Sequence, residues 1–162
     1  MFWDHFSQWV QAPNRKGQRI EGVNVVSPTF FYLDEDNGTL KENVGDAGKA
    51  YINWAHSNGY KVWPLFSNDS MKETTSEIMK DYKLREKLIN QIVDKVKKYN
   101  LDGVNIDFEY MKEEDRDLFS RFIIELTPRI KDLGKVVSVD VTAPDGSPDW
   151  SLCFNRNVIG KV

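Results

Sequence analysis

The chain is short of the residues from which metal and disulfide chemistry is built. Its 162 residues include one cysteine, Cys153, and two histidines, His5 and His56. A lone cysteine excludes an internal disulfide and a cysteine-based zinc site, and two histidines are too few for a multi-histidine metal centre. Basic charge is not in excess either. Against 25 Asp and Glu stand 22 Lys and Arg, for a net charge of −3, whereas phosphate backbones call for a basic surplus, so no nucleic-acid partner is expected. No apolar run approaches the roughly 18 residues of a membrane-spanning helix, and no membrane partner is expected. Residues 1–21 mix Phe2 and Trp3 with Asp4, His5, Gln8 and Arg15, without the apolar stretch of a secretion signal. Apolar material itself is ample. Hydrophobic residues make up 40% of the chain and aromatics 12%, five of them Trp, which supports a packed core rather than a disordered chain. The length suits one domain, residues 1–162, and no Pro/Gly/Ser linker or sequence repeat divides it.

Four segments read as buried strands: residues 22–31 (GVNVVSPTFF), 60–66 (YKVWPLF), 102–108 (DGVNIDF) and 135–142 (KVVSVDVT). Each is rich in β-branched or aromatic residues and is entered through a turn signal such as Asn58-Gly59 or Gly134. Helical patterns lie between them. Leu84, Leu88, Ile89, Ile92, Val93, Val96 and Tyr99 recur at three- and four-residue steps, as do Phe119, Phe122, Ile123, Leu126 and Ile130. A shorter version runs through Ala47, Tyr51, Trp54 and Ala55. A strand-then-helix rhythm of about 40 residues predicts parallel strands joined by right-handed crossovers. At that spacing the chain holds about four units, whereas an eight-unit barrel takes ~250 residues. Either a small doubly wound sheet or part of a barrel satisfies the count. The ends favour the barrel: Phe2-Trp3-Asp4-His5-Phe6 reads as the tail of a strand, and residues 157–162 lack a closing helix. The expected fold is therefore α/β, with parallel (β/α) units of a TIM (β/α)8 barrel truncated to about four to five units.

The most informative stretch is LDGVNIDFEYM, residues 101–111. Period-two alternation puts Asn105, Asp107 and Glu109 on one face and Val104, Ile106 and Phe108 on the other. A strand of a helix-flanked parallel sheet should be apolar on both faces, so a polar row is costly unless it lines a cavity. In a barrel it would point inward, with catalytic groups at the C-terminal end of the strand. Asp107 and Glu109 stand two residues apart, roughly 6–7 Å between Cα atoms, close enough for each to raise the other's pKa and help Glu109 hold a proton as a general acid. Two other readings stay open at this point. One is a structural ion-pair network; the other is a divalent-metal site in which Asp140, inside VSVDV, supplies a third carboxylate. Tyr110, Phe30 and Trp63 are candidate sugar-stacking aromatics, and Trp150 is a stacking residue or a loop anchor. His5 and His56 are expected at the surface or in packing.

LDGVNIDFEYM resembles the signature strand of glycoside hydrolase family 18, the chitinase-like barrels, whose pattern is Asp-Gly-x-Asp-x-Asp-x-Glu. Asp102, Gly103, Asp107 and Glu109 match it, and Asn105 stands where the pattern has its second Asp. GVNVVSPTFFYL, NGYKVWPLFSN and KVVSVDVTAPD resemble the second, third and fifth strands of the family's cell-wall and spore-associated branch. The resemblance implies substrate-assisted retaining hydrolysis. Glu109 protonates the glycosidic oxygen while the sugar's 2-acetamido carbonyl attacks the anomeric carbon. Asp107 orients that acetamido group, and Asn105 and Asp102 set the hydrogen bonding beneath Asp107; from the residues alone, Asp140 and Tyr110 are candidate substrate contacts. It implies no cofactor or metal, and a partner glycan bearing N-acetyl groups, chitin-type or peptidoglycan. It also implies a parent protein that is secreted or associated with the cell wall or spore, of whose barrel this chain is about the first half. Alone, such a piece is expected to have little activity and to self-associate through strand edges. Competing readings are a non-catalytic carbohydrate-binding barrel and metal-dependent phosphoryl or acyl chemistry.

Overall fold

The computed structural model describes residues 1–6, 19–34 and 39–162; most of the stretch read above for a secretion signal lies outside them. Among the described residues, eight strands and five α-helices follow one another. They are β1 (Phe2–Asp4), β2 (Val25–Pro28), β3 (Phe31–Leu33), β4 (Leu40–Glu42), α1 (Gly45–Ser57), β5 (Lys61–Val62), β6 (Leu65–Ser67), α2 (Lys72–Lys80), α3 (Tyr82–Lys98), β7 (Gly103–Asp107), α4 (Arg116–Lys131), β8 (Val136–Val139) and α5 (Arg156–Ile159).

Two predicted strands are broken in the middle. Residues 22–31 become β2 and β3, parted at Thr29-Phe30, and residues 60–66 become β5 and β6, parted at Trp63-Pro64, where proline has no N–H to give a ladder. Counted by position, five parallel strands stand side by side in chain order. β1 pairs with β2, β2 with β5, β6 with β7, and β7 with β8, all parallel. Hydrogen bonds from Asp102 N–H to the Val62 carbonyl and from Asn105 N–H to the Pro64 carbonyl carry the sheet across the break. This arc of (β/α) units is the arrangement expected of a TIM barrel, with β1 and β8 at its margins.

The helices are where amphipathic spacing puts them, with one addition. α2 was not expected, because KETTSEIMK spends its central turn on Thr74, Thr75 and Ser76, weak helix formers that here are partly or fully buried beside Ile78 and Met79. Asp81 ends it and starts α3, its Oδ1 accepting from the Lys83 and Leu84 N–H groups at 2.7 and 3.0 Å. β4 is a second addition, running antiparallel to β3. It is tied to α3 through Gln91, whose Oε1 accepts from the Leu40 N–H, and through Glu42, which accepts from Lys95, Lys98 and Tyr99.

β7 divides the molecule as its alternation predicts. Val104, Ile106 and Phe108 are buried among α3 and α4 residues such as Leu88, Ile92, Phe119 and Phe122, with Phe108 stacked on Phe122 at 5.7 Å. Asn105 and Asp107 face the concave interior. Gly103 begins that inner row for lack of room: a Cβ there would lie 2.7 Å from the Val136 carbonyl oxygen and 2.8 Å from Trp63 Cδ1.

Candidate active site

Strand alternation and parallel register gather the polar residues. Leu65, Asn105 and Ser138 stand in one row across β6, β7 and β8, and Ser67 stands beside Asp107 in the row above. Asn105 is fully buried. Its amide nitrogen donates to Asp140 Oδ2 at 2.7 Å and lies 3.4 Å from Ser27 Oγ, while its Oδ1 is buried without a hydrogen-bond partner. One row up, Asp107, Glu109 and Asp140 open together into a pocket of about 200 Å³, walled by Trp3, Val141, Thr142, Trp150 and Phe154. No Lys, Arg or His is among those lining residues.

This crowding of carboxylates sets their protonation. Burial, then the negative charges of Glu109 and Asp140, push Asp107 up to about 6. Asp140 is raised as well, chiefly by burial and further by Glu109, although the Asn105 amide pulls the other way. Asp107 therefore changes charge near neutral pH, as a group that exchanges a proton or balances a developing charge must. Among the described residues, no group of three or more His, Cys, Asp or Glu side chains is placed to hold a metal ion.

Glu109 lies two residues beyond the end of β7. The following residue, Tyr110, has a left-handed backbone (φ 51°) and turns the chain sharply away. Its half-exposed ring packs 4.8 Å from that of Trp150. Trp150 sits in a single π-helical turn, Pro148–Leu152, where its carbonyl accepts from the Thr142 hydroxyl. An aromatic pair thus flanks the pocket on one side, and Trp3, 59% exposed, lines it from β1.

The structure does not bring every predicted residue to this place. Asp102 sits at the opposite end of β7, five residues and roughly 16 Å of strand from Asp107. There it accepts from the Val62 N–H at 3.0 Å and pairs with His56 at 2.9 Å and Lys61 at 3.1 Å. Burial alone would raise its pKa, but those three partners hold it below the usual value. Its bonds lie at the base of the sheet rather than beneath Asp107, and His56 is its partner rather than an isolated residue. Phe30 is wholly buried, edge-on to Phe6 at 5.0 Å and Tyr51 at 6.1 Å, and offers no face to a sugar. Trp63 lies over Gly103, at the foot of the inner row, and is not among the residues lining the pocket. Residues 157–162, expected to lack a closing helix, take part only in the four-residue α5.

Trp3 was missed, although the alternation of β1, with Asp4 buried toward Tyr51 and Trp3 on the other face, carries the signal. A roomier hollow of about 720 Å³ holds none of the predicted residues. It is a solvated trough of ion pairs, Lys72 with Asp149 and Lys112 with Glu73.

Comparison with known proteins gives the chain relatives in sequence and in fold. The chain is 30% identical over 146 residues to the uncharacterized glycosylase YvbX of Bacillus subtilis, covering 85% of this chain and 41% of that protein. It is 31% identical over 123 residues to the cortical fragment-lytic enzyme of Bacillus anthracis, covering 71% of this chain and 29% of the enzyme. It therefore spans well under half the length of these relatives. Its fold matches, with a TM-score of 0.74 and 19% identity, a crystal structure of the Ostrinia furnacalis Group II chitinase catalytic domain 2 in complex with penta-N-acetylchitooctaose, over 99% of this chain and 47% of that one. Residues 1–159 match the family Glycosyl hydrolases family 18, and the chain belongs to it.

Proposed function

We propose that the protein carrying this chain is a glycoside hydrolase of N-acetylhexosamine-containing glycans, chitin-type or peptidoglycan, and that Glu109 is its general acid. The observation that carries the reading is the joint opening of Asp107 and Glu109 into one aromatic-walled pocket at the C-terminal end of β7, where barrel enzymes keep their chemistry. In this reading Glu109 protonates the leaving glycosidic oxygen, and the substrate's own acetamido oxygen attacks the anomeric carbon in place of an enzyme nucleophile. Asp107, whose pKa is near 6, accepts the acetamido N–H through its carboxylate form and balances the positive charge that develops there, with no proton leaving it in the step. Asn105 anchors Asp140 beside it. Tyr110, Trp150 and Trp3 supply apolar faces on which sugar rings stack. The relatives named for spore cortex favour a secreted, cell-wall or spore setting.

Substrate assistance makes the acetamido group part of the catalyst, which gives the test. The gene product carrying residues 1–162 should cleave N-acetylated chitooligosaccharides or cortex glycan and leave fully de-N-acetylated oligomers of the same length uncut. Equal rates on both would overturn the mechanism, and cleavage of neither would overturn the assignment as a hydrolase.

A further inference from the structure

The ladder between β6 and β7 ends at the pair Ser67 and Asp107. Beyond it β6 departs, with Asp69 and Ser70 both in the left-handed region (φ 51° and 58°). Among the described residues no strand backbone is left to hold Glu109, yet its peptide groups are held. The Glu109 N–H donates to Asn68 Oδ1 at 2.9 Å, and the Glu109 carbonyl accepts from Asn68 Nδ2 at 2.8 Å. Asn68 is wholly buried. Its second amide hydrogen goes to Thr75 Oγ1 at 3.0 Å, and its Oδ1 also accepts from the Ser70 N–H at 3.3 Å. All four hydrogen-bonding positions of the amide are thus used. The orientation is fixed by the network, because a flipped amide would set NH₂ against N–H and oxygen against carbonyl.

We infer that Asn68 is a positioning residue for Glu109, its side-chain amide replacing the neighbouring strand's backbone at the point where that strand leaves. Only an amide can serve both peptide groups: an aspartate would face the Glu109 carbonyl with a second acceptor, and a serine is too short to reach both. The clamp and the left-handed turn at Tyr110 bracket Glu109, so its carboxylate extends from a fixed backbone into the pocket beside Asp107 instead of swinging with a loop. The inference rests on the reading of Glu109 as the acid, and it predicts that loosening the clamp harms catalysis more than binding.

The test compares the wild-type protein with Asn68→Ala and Asn68→Asp. In the wild type, NMR hydrogen exchange should find the Glu109 amide protected like that of Asn105 within the ladder, although it lies outside the strand; exchange at a free-loop rate would overturn the inference without any variant. Asn68→Ala should speed Glu109 exchange at least tenfold and leave Asn105 within twofold. Asn68→Asp, which keeps the acceptor for the Glu109 N–H and loses the donor, should retain most of the protection. Because Glu109's charge bears on Asp107, the Asp107 carboxyl in Asn68→Ala should titrate lower than in the wild type, which a merely structural residue would not cause. Turnover should show kcat reduced tenfold or more with KM within threefold. A folded Asn68→Ala protein with unchanged Asp107 titration and unchanged kcat overturns the inference. A wild-type protein that cleaves no glycan sinks the hydrolase reading instead, while the exchange and titration results still decide the clamp.

Discussion

Three carboxylates share one small pocket, and the electrostatic outcome depends on which of them can shed charge. Asp107 is the most affected, buried and flanked by Glu109 and Asp140. Asn105 keeps this from worsening. A carboxylate at position 105 would be a fourth negative group 2.7 Å from Asp140, where the amide instead donates to it. A raised pKa has a sign in stability. The folded state holds the Asp107 proton more tightly than the unfolded chain, so that contribution is fully present below about pH 4 and is lost as pH rises through about 6. Asp107→Asn should therefore melt higher than wild type at pH 8, by roughly 2–4 °C after allowance for solvent screening, and the difference should close at pH 4. Thermal denaturation at the two pH values checks it; an equal or lower melting temperature at pH 8 would count against the burial of charge. The polar row itself was legible in the sequence because alternation in LDGVNIDFEYM needs no tertiary information. Asn68 was not, since it stands 41 residues from Glu109 and nothing local marks their pairing.

At the scale of elements, β7 does two jobs at its two ends. Its C-terminal end presents Asp107 and Glu109, and its start is bolted to β5 by Asp102. The motif carries Asp102 and Asp107 in one run of letters, and only the direction in which the strand meets the mouth separates their tasks. Asp102→Asn should cost about 1–2 kcal/mol through lost charge-assisted bonds and leave the Asp107 titration where it is. Because its partners depress the Asp102 pKa, the stabilisation is present above about pH 4 and fades as pH falls through the folded value. Urea denaturation at pH 7 with carboxyl NMR titration measures both; a shift of Asp107 in this variant would tie Asp102 to the site after all. The same tertiary dependence hid Phe30. A strand read as continuous through residues 22–31 would alternate past position 28, but the break at Thr29-Phe30, where Thr29 Oγ1 donates to the Phe6 carbonyl, lets the Phe30 ring enter the core beside Tyr51 of α1. α2 and β4 were illegible for a related reason: Thr and Ser in one and a three-residue pairing in the other have little intrinsic preference, and burial against α3 and β3 decides them.

On the scale of the whole molecule, five parallel strand positions and their helices form an arc whose concave side carries Asn105, Asp107, Glu109 and Asp140 and whose convex side carries the core. The order β1, β2, β5/β6, β7, β8 is what the strand-then-helix rhythm of the sequence anticipates, and it puts Trp3 from the first strand and Asp140 from the last on the walls of the same pocket as Glu109. Ion pairs brace the outer helices, with the buried Arg85 bonded to Glu125 at 2.7 Å and the more exposed Arg129 to Glu86 at 2.7 Å. Neither pair is among the residues lining the pocket. The proposed function turns on one of the pocket carboxylates, Glu109. The most direct measurement is the rate of N-acetylated glycan cleavage by the gene product carrying this chain, wild type against Glu109→Gln, with folding of the variant verified by circular dichroism. Loss of the general acid should reduce kcat roughly 100- to 10,000-fold while oligosaccharide binding persists; a variant that cleaves within a few-fold of wild type would contradict the assignment of Glu109.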